Sequence, residues 1–170
     1  MTSYKASSVA QLSELIDSEL AVLRELKPVL QLKQRALVEN QVAVLHDLAD
    51  QELRLGGRLS VLEEQRLATQ RSLATELGDV RPEASVGELI ASIPAGQDCF
   101  ALQEGARKLR EEVVAVGQLN LDNGHLMQNL LDYTAMVIRL AARTESGEGY
   151  GRDGKISEGQ AARALLDDRI

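Results

Sequence analysis

A reaction or a bound metal needs side chains that converge, and this chain offers few candidates. Its two histidines, His46 and His125, fall on different expected helices. Neither belongs to the Glu-x-x-His pairs of di-iron bundles or to an HExxH zinc motif. His46 has Asp47 and Asp50 beside it, which is the ordinary mix of a solvated helix face. Cys99 is the lone cysteine, so neither an internal disulfide nor a metal-type cysteine spacing can be built. Asp153-Gly154-Lys155-Ile156-Ser157 imitates the middle of an EF-hand loop. That register puts Gly149, Gly151 and Gln160 at the first, third and twelfth positions, so the acidic anchors that calcium requires are absent. No Gly-rich phosphate loop, nucleophile elbow or cysteine–histidine context occurs. The expectation is a protein that is not an enzyme and holds no metal or cofactor.

Two other clusters suit binding. Asn120 and Asn123 stand on a helical seam where apolar residues are expected, with Gly124 directly after them. A buried Asn on such a seam fixes register and partner choice at some loss of stability. The alternative is that both face a bundle edge and touch water, and the pattern leaves the two readings open. Gly124 gives up a side chain inside a helix, which suggests a helix-crossing point. Tyr150 is the only aromatic in a Gly-rich tail and has no helical neighbours to pack on. It is either a binding anchor, since tyrosine offers large area at low entropic cost, or a linker residue.

The elements that must position these residues are long helices. From about Asp98 to Arg143, Leu102, Ala106, Leu109, Val113, Val116, Asn120, Asn123, Met127, Leu130, Thr134, Val137 and Ala141 recur at alternating steps of four and three. This is the seam of a helix packed along its length on partners. Leu119, Leu126, Tyr133 and Leu140 widen the apolar face. At 1.5 Å per residue the span would reach roughly 65–70 Å. Upstream, Val9, Ile16, Leu23, Leu30 and Leu37 repeat every seventh residue, with Leu12, Leu20 and Leu26 beside them. Ser7 or Ser8 is placed to cap that helix. Pro28 sits within it, and the unbroken phase argues for one kinked helix of about residues 8–39. A second helix of about 41–77 carries Leu45, Leu48, Leu55, Leu59, Leu62 and Leu73, with Gly56-Gly57 inside it marking a close crossing or a bend rather than a ligand contact. Gly78-Asp79 stops it. Ser85 and Glu88 have capping-box spacing for a short helix at about 86–92, and Asp98 can cap the long one. The expected fold is all-α: an elongated antiparallel helical bundle over 1–143 and a flexible Gly-rich tail over 144–170. A weak helical signal at about 158–168 includes Leu165 and Leu166.

Composition narrows the classes further. Of 170 residues, 44% are hydrophobic and only 2% aromatic, so Leu, Val and Ala must fill the core. A net charge of −7 repels a phosphate backbone and argues against nucleic acid. No segment approaches 18 uninterrupted apolar residues, and the first residues lack the apolar run of a secretion signal. A cytoplasmic protein without membrane insertion is expected, of open oligomeric state.

The segment Leu119-Asn120-Leu121-Asp122-Asn123-Gly124-His125-Leu126-Met127, followed by Tyr150-Gly151-Arg152-Asp153-Gly154, resembles the FlgN-type flagellar export chaperones. That family pairs an Asn-x-x-Asn segment in its long helix with a Tyr-Gly-x-x-Gly element in its tail. The Leu-rich hairpin upstream is similar too, though it would fit any helical bundle. The resemblance implies a cytoplasmic type III export chaperone that binds hook–filament junction proteins and delivers them to the cytoplasmic domain of the export gate. It implies Tyr150, Gly151, Asp153 and Gly154 as the gate contact. The tail after Tyr150, with Leu165 and Leu166, and the late part of the long helix would hold the client. The rival readings are a structural coiled-coil adaptor with no export client and, more remotely on two histidines, a four-helix ligand or metal protein.

Overall fold

The leucine pattern resolves into two seams on the first helix. In the computed structural model, which describes residues 2–78, 80–93 and 96–145, α1 spans Thr2–Val38 and α2 spans Val42–Leu77. On α1, Leu12, Leu15, Glu19, Val22, Leu26, Val29, Lys33 and Ala36 are buried or half-buried at three–four spacing; on α2, so are Leu45, Leu48, Glu52, Leu55, Leu59, Leu62, Arg66, Thr69 and Leu73. Cross-helix bonds set their alignment. Ser8 donates to Glu76 at 2.9 Å, Arg66 to Glu19 at 2.8 Å and Arg58 to Glu25 at 2.7 Å, and Lys33 pairs with Glu52. Numbers rise on one helix as they fall on the other, so α1 and α2 form an antiparallel hairpin.

The turn closes through backbone chemistry. Asn40 adopts φ 53, while the Gln41 amide donates to the Ala36 carbonyl and the Asn40 amide to that of Leu37. This is a Schellman cap with Asn, which tolerates the left-handed region, in the place usually held by glycine. Gly78 ends α2 at φ 81. α1 is continuous through the exposed Pro28. It begins at Thr2, ahead of Ser7 and Ser8, and the Ser8 hydroxyl donates to Glu76 across the hairpin.

α3 covers Val86–Ser92 behind a formed capping box: Ser85 accepts from the Glu88 amide, and Glu88 accepts from the Ser85 amide at 2.8 Å. The Ser85 amide, then Arg81, hold the Glu88 carboxyl below the usual carboxylate range. α4 spans Gln97–Glu145. It starts one residue before Asp98, which therefore sits in the first turn, where its charge faces the positive end of the helix, instead of capping it.

The chain divides into two compact units, Met1–Gly124 and His125–Ile170. In the first unit, Val9, Leu12, Ile16, Leu20, Leu73, Ala74, Ala84, Leu89 and Leu102 form one core cluster. Leu23, Leu26, Leu30 and Val116 form another. Each fully buried Leu or Ile contributes about 1.5–3 kcal/mol over its exposed form. α4 meets α1 in rising order on both helices: Gly105 at Ile16, Glu112 at Lys27 (2.9 Å) and Asn123 at Leu30. Up to Gly124 it thus runs parallel to α1 and antiparallel to α2. The described part of the second unit is the remainder of α4, through Glu145. Among the described residues there is no strand, and no helix is long and apolar enough to cross a membrane.

Candidate functional site

The two asparagines part company. Asn120 is exposed, whereas Asn123 is 1% exposed and donates its amide to the Leu30 carbonyl of α1 at 2.9 Å. The carbonyl can only accept, so the amide nitrogen must face it. The Asn123 Oδ1 is then buried without a partner among the described residues. This bond fixes where α4 lies along α1 at the cost of one desolvated acceptor. Gly124 is exposed, and a Cβ added there would meet nothing within 4 Å. The same holds at Gly56 and Gly57. Close helix crossing therefore accounts for none of these glycines, and nothing else in the structure explains Gly56-Gly57. The tight approach is at Gly105, where an added Cβ would lie 3.2 Å from Ile16 Cγ2.

A second buried polar group lies in the hairpin. Glu19 is 2% exposed and accepts from Arg66 Nε through both carboxylate oxygens, at 2.8 and 3.0 Å. Arg66 also donates to Gln70, whose amide reaches the Ala84 carbonyl at 3.4 Å. Burial pushes the Glu19 carboxyl up, and the Arg66 bond and charge offset this only in part. The network braces α2 against the segment leading into α3. Glu63, itself exposed, lies 3.8 Å from Arg66 and adds a second carboxylate to the network. His46 lies 4.0 Å from Asp50, both exposed.

The surface suited to binding lies later in α4. The expected seam is covered at Leu102 and Val116, yet Val113 is 51% and Val137 44% exposed. The seam is therefore not buried along its length. In the second unit Leu131, Tyr133, Met136, Val137 and Ile138 are all exposed, with Leu126, Met127 and Leu130 half-buried. Leu126, Leu130, Tyr133 and Val137 share one face at four–three–four spacing, flanked by Met127, Leu131 and Ile138. The opposite face carries Gln128, Asp132 and Arg139, with Gln128 donating to Asp132 at 3.1 Å, and Asn129 and Met136 stand at its edge. An apolar face on a helix of such polarity is a surface for a second apolar segment. Periodicity marks Leu126, Leu130, Tyr133 and Val137 for packing, whereas Leu131, Met136 and Ile138 lie off the seam and carry no such signal. Tyr150, Gly151, Asp153, Gly154, Leu165 and Leu166 lie outside the described residues, so the gate and tail contacts have no geometry here.

A family model described as FlgN protein matches residues 1–158. The span takes in Asn120–Gly124, the exposed face of α4 and Tyr150–Gly154, and it stops short of Leu165 and Leu166. No curated protein and no solved structure matches the chain.

Proposed function

Because the chain belongs to the FlgN family of flagellar export chaperones, we propose that it captures hook–filament junction proteins in the cytoplasm and presents them to the cytoplasmic domain of the export gate. The observation that carries this reading is the exposed apolar face of α4 at Tyr133 and Val137, with Leu131 and Ile138 on its flank. An amphipathic client segment lying on that face withdraws both partners' apolar surface from water. Each of these half-exposed side chains would contribute about 1 kcal/mol, at roughly 25 cal/mol per Å². A client that folds as it binds spends about 2–5 kcal/mol on ordering. The balance suits a complex that holds its client and later releases it. The acidic net charge of −7 keeps the loaded complex soluble. Tyr150 with Gly151, Asp153 and Gly154 forms the gate contact in this reading, and Leu165 and Leu166 extend the client contact.

The test is calorimetric titration of the full chain with a purified junction protein. The intact chain should bind one client at a defined ratio, and Tyr133→Asp with Ile138→Asp should weaken binding at least tenfold with helical circular dichroism unchanged. Undiminished affinity in that variant would remove the face from the site. An intact chain that captures no junction protein would favour an adaptor without an export client.

A further inference from the structure

The α1–α2 seam is leucine-rich on both sides, and such seams fit together almost equally well when slid by a heptad. Two charged pairs interrupt this one. Glu19 occupies the seam step between Leu15 and Val22 and faces Arg66, which stands between Leu62 and Thr69. Lys33 stands between Val29 and Ala36 and faces Glu52, between Leu48 and Leu55. The pairs point opposite ways: the acid is on α1 in one and on α2 in the other. We propose that these two opposed pairs select the single register of the hairpin, a conformational lock set within the seam. A slip of one heptad would put Glu19 against Leu59 or Leu73 and Lys33 against Leu45 or Leu59. A slip of two heptads would bring like charges together, Glu19 with Glu52 or Lys33 with Arg66. Only the observed alignment satisfies both charges on each helix. A buried ion pair adds little net stability, but an unpaired buried charge is costly, so such pairs discriminate between alignments more than they strengthen one.

The register matters beyond the hairpin. Gln70 ties α2 to the Ala84 carbonyl ahead of α3, while α4 rests on α1 at Ile16, Lys27 and Leu30. Sliding α2 along α1 would pull the start of α3 away from the place where α4 must begin. The turn at Asn40 is the competing determinant of register, so the test leaves it untouched.

The experiment is crosslinking of the full chain in a Cys99→Ser background by a short bifunctional thiol reagent that spans neighbouring positions of the hairpin. Glu25→Cys is combined with Arg58→Cys, the native neighbour, or with Gln51→Cys or Gln65→Cys, one heptad to either side. A heptad out of place adds about 10 Å along the helix axis, beyond the span of such a reagent. With the seam charges intact, only the 25/58 pair should close. Replacing Glu19, Lys33, Glu52 and Arg66 by Leu should preserve helix content and let 25/51 or 25/65 close to a comparable fraction. A second comparison does not depend on that variant folding. Glu19→Arg with Lys33→Glu, which opposes like charges at both sites, should lose the 25/58 crosslink. Adding Arg66→Glu and Glu52→Lys, which completes the interchange, should regain it. A folded all-leucine variant that closes only 25/58, or a like-charge variant that closes it as fully as the parent, would overturn the lock and leave the turn in control.

Discussion

Glu19 shows how a single burial sets a pH dependence. Its folded carboxyl is raised, chiefly by desolvation and despite Arg66. A raised acid favours folding most when protonated, so its contribution is full below the unfolded value near 4.5 and is lost as pH rises through the folded value. Glu19→Gln cannot titrate. Urea melts should therefore show Glu19→Gln gaining on the parent between pH 4.5 and 7, and a gap independent of pH would contradict this account. Asn123 yields a contrast of the same kind. Asn123→Leu removes the buried unpartnered Oδ1 and should leave stability unchanged or raise it by about 1–2 kcal/mol. Asn123→Asp sets a buried carboxylate against the Leu30 carbonyl and should cost about 3 kcal/mol or more. Equal midpoints for the two variants would show that the site is wetter than its 1% exposure implies.

Among the helices, the glycines of α4 separate propensity from packing. Gly124→Ala meets no atom within 4 Å and should stabilise by about 1 kcal/mol through helix propensity. Gly105→Ala gains the same propensity but presses on Ile16 Cγ2, which lies 3.2 Å from the added Cβ. Overpacking costs of about 1–3 kcal/mol should cancel or reverse the gain. Chemical denaturation of the two variants checks the difference, and an equal gain at both would mean that α1 yields freely at Ile16. The capping box, the Gly78 stop and the heptad of Val9, Ile16, Leu23 and Leu30 are local patterns, and they were legible before any fold was known. The second seam of α1 was not, because Glu19 and Lys33 among leucines look like solvated surface until α2 supplies Arg66 and Glu52.

At the level of the molecule, the proposed role divides the work between two places. The exposed face of α4 would hold the client, and Tyr150 would meet the gate. Tyr150→Ala should weaken binding to the gate's cytoplasmic domain by tenfold or more, as loss of an aromatic anchor does, while client titrations and the melting temperature stay unchanged. Gate affinity that survives the substitution would place the contact elsewhere.

Spacing alone fixed the all-helical class and the short capped helix, because helical period and capping are properties of neighbouring residues. It also brought Asn120 and Asn123 to notice as a pair. Which of them is buried depended on where a carbonyl ninety-three residues away in the chain comes to rest. Likewise, the apolar period of α4 runs unbroken past Gly124, and only the folded chain distinguishes the turns that Leu102 and Val116 bury from those that leave Tyr133 and Ile138 in water. Burial is a relation between distant segments, and periodicity records only the readiness of one segment to enter it.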